Sequence, residues 1–123
     1  MHSFRSRSRS VAVVLCAAVL CALPGRAAWA ASFDCAQAKQ PDERAICASR
    51  VLSEQDVEMA VRYEMLTGLV AMGTRGDMQE AQHDWLQRRA RCGASRSCLV
   101  GAYRERIDAL KQQYQQLKSR GPF

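Results

Sequence analysis

The sequence predicts an all-α fold, a small disulfide-stapled helical bundle of about three long helices preceded by a short N-terminal helical segment. Beyond residue 30, Gly and Pro are scarce, and Gln, Ala, Arg, Glu and Leu dominate. These residues favour helices, and no two-residue apolar alternation of the kind found in strands persists. Four cysteines (Cys35, Cys47, Cys92 and Cys98) lie in this part of the chain. A domain this small gains much of its stability from disulfides.

Residues 1–30 have the three parts of a cleavable secretory signal peptide. Three arginines precede an apolar stretch at residues 11–23, and Ala28-Trp29-Ala30 matches the A-x-A cleavage signal. Ala31 is therefore the expected first residue of the mature chain. An uncleaved membrane anchor is the alternative, but the apolar stretch is short for a bilayer. Neither Cys16 nor Cys21 follows the small residue that lipoprotein processing prefers. We expect a periplasmic or secreted protein with no stable membrane anchor.

The charge of the mature chain excludes a general nucleic-acid binder. The whole chain has a formal charge of +6, but four of its 18 basic residues and none of its 12 acidic residues lie in the leader. The mature chain therefore carries 14 basic and 12 acidic side chains, a net charge of +2. The segment from Asp34 to Glu64 is acidic, and the segment from Arg75 to Arg120 is basic.

The helices can be placed in order from their end signals. Pro41 suits the first position of a short helix that continues through Ile46 and Cys47. Ser53 is the expected N-cap of a long helix that reaches about Met72. The segment Gly73-Thr74-Arg75-Gly76 then predicts a turn.

Two more helices complete the predicted domain, which spans residues 31–118. Asp77 and Glu80 form a capping box for the second long helix, which should end near Cys92-Gly93. Ser95 or Ser97 opens the last helix, which extends to about Lys118. Residues 119–123 are expected to form a flexible C-terminal tail.

Apolar residues recur at alternating steps of three and four on each long helix, as in a seam that faces other helices. Tyr63, Trp85 and Tyr103 lie on these seams and are predicted core residues. The seams also contain four polar side chains, Asp56, Gln82, Arg89 and Arg106.

Buried charges must be paired, because an isolated charge in the interior costs several kcal/mol. We therefore expect Asp56 to contact Arg89, Arg106 or both, with Gln82 nearby. A structural polar network that sets the register of the helices is the favoured interpretation, and a binding cleft is the alternative.

Five segments, in order and at compatible spacing, resemble the LprI-type lysozyme-inhibitor domain, also catalogued as DUF1311, over about Phe33 to Leu110. They are Ser32-Phe33-Asp34-Cys35, Glu43-Arg44-Ala45-Ile46-Cys47, Leu52…Asp56…Tyr63, Gln82-His83-Asp84-Trp85…Arg89…Cys92 and Cys98-Leu99…Tyr103…Arg106-Ile107…Leu110. The resemblance implies a small secreted α-helical bundle with local disulfides, and some members of the family inhibit lysozyme. This chain departs from the family pattern at Gln55, where an apolar residue is common, and it lacks a lipoprotein cysteine.

Four cysteines allow three connectivities. The placement of the cysteines on the predicted helices favours Cys35–Cys47 and Cys92–Cys98. The first pair would hold the N-terminal segment, and the second would shape the turn between the last two long helices.

The leading functional hypothesis is inhibition of lysozyme, a protein partner, through a protein–protein interface. Lysozymes cleave with two carboxylates in a cleft, which an inhibitor can block with a protruding cationic or hydrogen-bonding side chain. Arg88, Arg91 and Arg96 cluster around the second cysteine pair, which makes the loop from Gly93 to Ser97 a candidate binding element. Ordinary solvated arginines are the alternative interpretation. Animal lysozymes are basic, so the acidic segment could instead be the docking face.

Other chemistries find no support in the sequence. His83 is the only histidine of the mature chain, and the cysteine spacings fit neither a zinc knuckle nor a redox Cys-x-x-Cys motif. No nucleophile or phosphate-binding motif occurs in the sequence. We therefore expect no catalytic residues, no metal, no cofactor and no enzymatic activity. The alternative function is a non-inhibitory periplasmic interaction or envelope-stress module.

Overall fold

The computed structural model describes residues 31–121, and this part of the chain is an all-α bundle. A 3₁₀ turn at Cys35–Gln37 is followed by α1 (Pro41–Cys47), α2 (Arg50–Leu69), α3 (Met72–Arg91) and α4 (Arg96–Lys118). The described residues contain no strand. The predicted fold class is confirmed. The predicted signal peptide at residues 1–30 and the last two residues of the predicted tail lie outside the described range.

The start of α2 differs from the prediction. Ser49, not Ser53, is the N-cap, and its hydroxyl oxygen accepts a hydrogen bond from the backbone N–H of Leu52 at 3.4 Å. Ser53 lies in the first turn of α2 and is buried. Its hydroxyl donates to the carbonyl of Ile46 at 2.8 Å, so it joins α1 to α2 instead of capping a helix.

The predicted turn between α2 and α3 is also wrong. The helices are connected by Val70 and Ala71, both extended, and the predicted turn residues 73–76 lie in the first turns of α3. Asp77 is therefore an exposed residue within a helix and not a cap. The helix can include Gly73 and Gly76 because a helical glycine costs only about 1 kcal/mol relative to alanine.

Arg75 explains why the connection is so short. Its Nε donates to the carbonyl of Thr67 at 2.8 Å, and its Nη2 donates to the carbonyl of Val70 at 3.3 Å. Carbonyls at the end of a helix lack partners within the helix, and a basic side chain can satisfy them. Arg75 thus holds the first turn of α3 against the end of α2.

The helices pack unevenly. The most extensive packing is between α2 and α4, and α3 packs on α4 and α1. By contrast, α2 and α3 have little close backbone contact with each other, although they are consecutive. The buried core contains Ile46, Leu52, Met59, Leu66, Met78, Trp85, Leu99, Tyr103, Ile107 and Leu110.

The three aromatic residues predicted for the core do not all lie at its centre. Trp85 and Tyr103 are almost fully buried and meet edge to face, with ring centroids 5.2 Å apart. The indole N–H of Trp85 donates to the carbonyl of Ala102 at 3.0 Å, which satisfies its only donor. Tyr63 is partly buried at the edge of the core.

Both predicted disulfides, Cys35–Cys47 and Cys92–Cys98, are present. The first links the 3₁₀ turn to the end of α1, and the second closes the turn between α3 and α4. Gly93, in that turn, has a φ of +55°, a left-handed conformation that favours glycine. Within residues 31–121, no helix combines the length and apolar character that a membrane span requires.

Reduction and alkylation of the two disulfides is expected to lower the Tm by more than about 10 °C. Each loop contributes roughly 2–3 kcal/mol in the chain-entropy model. A change of 1 kcal/mol shifts the Tm of a domain of this size by about 4–8 °C. Thermal unfolding followed by circular dichroism, with and without reduction, measures the difference. Protein treated with the alkylating reagent alone is the control, and an unchanged Tm after reduction would contradict the prediction.

Candidate functional site

A buried polar network joins all four helices, with Arg89 at its centre. Nε of Arg89 donates to Oδ2 of Asp42 at 3.0 Å, and Nη1 donates to the hydroxyl of Tyr103 at 3.2 Å. The same hydroxyl donates to Oδ1 of Asp56 at 2.8 Å. Nη1 of Arg89 also lies 3.8 Å from Oδ1 of Asp56. The tyrosine hydroxyl therefore connects the guanidinium to the second carboxylate.

The network also fixes the N-terminal segment. Oδ2 of Asp56 accepts the backbone N–H of Ser32 at 2.6 Å. The guanidinium carbon of Arg89 lies 5.9 Å from the centroid of the Phe33 ring and 5.7 Å from the Trp85 ring, within the range of cation–π contacts. The network thus contacts the N-terminal segment as well as one residue of each of the four helices.

The ionisation states follow from these contacts. Burial favours the neutral form of Arg89, but its interactions with Tyr103 and Asp42 outweigh this effect and raise its pKa, so the guanidinium stays charged. Burial and the neighbouring carboxylate of Asp56 raise the pKa of Tyr103. The phenol therefore remains a neutral donor.

Arg106 lies in a separate contact and is not paired with Asp56. Its Nε donates to Oε1 of Gln82 at 2.9 Å, and Nε2 of Gln82 contacts the sulfur of Met59 at 3.3 Å. Nη2 of Arg106 is buried and has no hydrogen-bond partner among the described residues. Burial is the main cause of its lowered pKa, with Tyr63 opposing this change and Arg88 adding to it. Of the two arginines proposed to meet Asp56, only Arg89 does so.

Sequence reasoning missed Asp42, which is the closest carboxylate to Arg89. A signal was available, because Asp42 precedes the core residue Ile46 by four positions and so shares its face of α1. The role of Tyr103 as the connecting hydroxyl was also missed, since it was assigned to the core alone.

A cleft of about 420 Å³ opens beside the network, between α2 and α3. Its ionisable side chains are Glu43, Asp56, Glu64, Tyr63 and Arg89. Ser32, Phe33, Met59, Ala60, Gln82 and Leu86 complete its lining. The cleft combines apolar walls with three carboxylates and one guanidinium.

Glu43 is held in place at the edge of this cleft. Its Oε2 accepts the backbone N–H groups of Lys39 at 2.9 Å and Gln40 at 3.0 Å, ahead of α1. The hydrogen bonds from Gln40 and Lys39 lower its pKa, so the carboxylate is ionised at neutral pH.

The turn closed by Cys92–Cys98 is a second surface feature, at the end of α3. Arg88, Arg91 and Arg96 are all exposed there, as an interaction surface requires. Three backbone hydrogen bonds of 2.9–3.1 Å, donated by residues 92, 93 and 95, hold the turn. A short disulfide loop with these bonds has few alternative conformations.

A third feature is a small apolar groove of about 160 Å³ on α2 and α4. It is lined by Arg62, Met65, Leu66, Leu69, Leu110 and Tyr114. Met65 and Leu69 are exposed beside it. The groove lies apart from the polar network.

Comparisons with protein-family models, curated proteins and solved structures found no match to this chain. Within the described part of the chain, no group of three or more His, Cys, Asp or Glu side chains is arranged to hold a metal ion.

Proposed function

We propose that this protein binds and blocks a lysozyme-type muramidase through a protein–protein interface, in the periplasm or outside the cell. The observation that carries the proposal is the turn closed by Cys92–Cys98, with Arg91 exposed immediately before it and Arg96 exposed within it. A rigid turn loses little conformational entropy on binding. Its guanidinium groups suit the paired carboxylates of a muramidase cleft, because arginine makes strong charge-assisted hydrogen bonds to carboxylates.

The resemblance to the LprI-type domain supports the same function, because some members of that family inhibit lysozyme. The leader-like residues 1–30 and the two disulfides support an oxidising, non-cytoplasmic location. A non-inhibitory interaction or envelope-stress module is the second candidate. The acidic cleft between α2 and α3 favours this second candidate. A partner protein can bind there without having an active site blocked, so binding at the cleft requires no inhibition.

A lysis assay tests the proposal. Titration of the purified, oxidised protein into lysozyme acting on bacterial cells should lower the lysis rate until it saturates. The double variant Arg91→Ala/Arg96→Ala should weaken inhibition at least about tenfold, as loss of central interface arginines commonly does. Arg120→Ala, which removes an exposed arginine just beyond the C-terminal end of α4, is the control for loss of a surface arginine elsewhere.

Two outcomes would contradict the proposal. An unchanged lysis rate with several lysozyme types at large molar excess would remove the inhibitor function. Equal potency of the double variant and the control would show that the turn is not the inhibitory element.

A further inference from the structure

We propose that the cleft between α2 and α3 is a docking site for an exposed arginine or lysine side chain of a partner protein. The inference goes beyond the proposed function, because it assigns a binding face and a ligand chemistry to whichever protein the partner is. It also places this contact on a different part of the surface from the arginine-bearing turn.

The shape of the cleft suits a long basic side chain. The cleft forms because α2 and α3 have little close backbone contact, and its volume is about 420 Å³. Phe33, Met59 and Leu86 supply apolar surface along its walls. Arginine and lysine bury their alkyl stems on such surfaces while the charged head stays near polar groups.

The charges of the cleft favour a cation. Glu43, Asp56 and Glu64 line it, and Arg89 is the only basic side chain in the lining. The positive charge of Arg89 is already balanced by Asp42 at 3.0 Å and by Asp56 at 3.8 Å. Glu64 is exposed and makes no ion pair with any described residue. An incoming cation therefore finds a carboxylate with no competing partner.

The floor of the cleft already contains a guanidinium group held by carboxylates. It holds one guanidinium, that of Arg89, over the Phe33 ring and between two carboxylates. The acceptors behind it are not fully used, because Oδ1 of Asp42 is buried without a hydrogen-bond partner among the described residues. The cleft lining thus contains three carboxylates and one guanidinium.

Other cations of the chain lie outside the lining. Arg44 acts electrostatically on Glu43, but its Nη1 donates to the carbonyl of Lys39. Arg106 is held by Gln82, and with the cleavage predicted from the sequence the amino group of Ala31 would add a further positive charge beside Ser32. Within the lining itself, three carboxylates and one guanidinium give a formal charge of −2, which attracts a basic side chain.

A titration followed by ¹⁵N–¹H NMR tests the inference on the purified, oxidised protein. The probe is acetyl-Gly-Arg-Gly-amide, and the same peptide with citrulline in place of arginine is the uncharged control. We expect the arginine peptide alone to shift the amide signals of Tyr63, Glu64 and Leu86. Glu64→Gln should weaken binding about two- to fivefold, which corresponds to the loss of an exposed ion pair worth up to about 1 kcal/mol. Glu105→Gln, which removes an exposed carboxylate of α4, should leave the affinity unchanged.

Several results would overturn the inference. They are equal shifts with the citrulline peptide, equal affinity of Glu64→Gln and Glu105→Gln, and shifts at Met65 and Leu69 of the apolar groove instead. Tighter binding of spermidine than of the arginine peptide would assign the cleft to a free organic cation and not to a partner protein.

The lysis assay separates this inference from the proposed function. Peptide binding at the cleft without any inhibition of lysis would sustain the inference and remove the function. Inhibition of lysis without any peptide-induced shift would sustain the proposed function and overturn the inference about the cleft.

Discussion

Asp56→Ala is expected to destabilise the protein by about 3–5 kcal/mol, the usual cost of removing one partner of a buried ion pair. Asp56 has no exposed surface, and its two oxygens accept the hydroxyl of Tyr103 and the N–H of Ser32. Truncation leaves both donors without an acceptor and removes one of the two negative charges near Arg89. Urea unfolding, with the free energy extrapolated to water, measures the effect.

The matched control for this variant is Glu105→Ala, which removes a carboxylate from the exposed face of α4. We expect it to change the free energy of unfolding by less than about 0.5 kcal/mol. A cost of the same small size for Asp56→Ala would contradict the buried network. Asp56→Asn should cost less than Asp56→Ala, because the amide oxygen can still accept one of the hydrogen bonds.

Arg89→Met is expected to be as destabilising as Asp56→Ala, at about 3–5 kcal/mol. Methionine can fill much of the space of the arginine stem, but it leaves Asp42 and Asp56 buried near each other without a cation. It also removes the donor to the hydroxyl of Tyr103. The measurement is again urea unfolding.

Arg88→Met is the matched control, because it makes the same arginine-to-methionine change at the adjacent position. Arg88 is exposed, so the free energy of unfolding should change by less than about 0.5 kcal/mol. Equal costs for the two substitutions would show that the position of Arg89 in the network contributes nothing to stability.

The sequence predicted well those features that depend on local chemistry. The helical composition, Pro41 at the start of α1 and the end of α3 near Cys92 are signals contained within a few residues. The start of α4 was narrowed to Ser95 or Ser97, and Ser95 is the N-cap. The two disulfides are local as well, and the placement of the cysteines on the helices favoured these pairs among the three possible connectivities.

The prediction failed where a contact between consecutive helices overrides the preference of a single turn. Gly73 and Gly76 locally favour a turn, but the hydrogen bonds from Arg75 to the end of α2 stabilise a helix there. Ser53 is a good capping residue by type, yet its hydroxyl is engaged by the carbonyl of Ile46. These contacts cross from one helix to the next over 5–8 positions, beyond the single turn that helix end signals describe.

The candidate site was predicted in part for the same reason. The periodicity of the helices indicated which polar side chains face inward, but it did not determine which of them meet. Arg89 binds Asp42, a residue 47 positions away, and Arg106 binds the neutral Gln82. Which polar side chains pair depends on how the helices pack against one another. The spacing of residues along a single helix does not determine that packing.

The positions of the disulfides have a consequence for how the oxidised chain forms. The two bridges join cysteines separated by only 12 and 6 positions, and any other pairing of these four cysteines would need a much longer loop. Closing a short loop costs less chain entropy, so random encounters in the unfolded chain already favour the native pairs. We expect oxidation to yield these pairs without extensive thiol–disulfide exchange. The association of distant helices must then be directed by side-chain packing and the buried charges, since neither crosslink connects one end of the chain to the other.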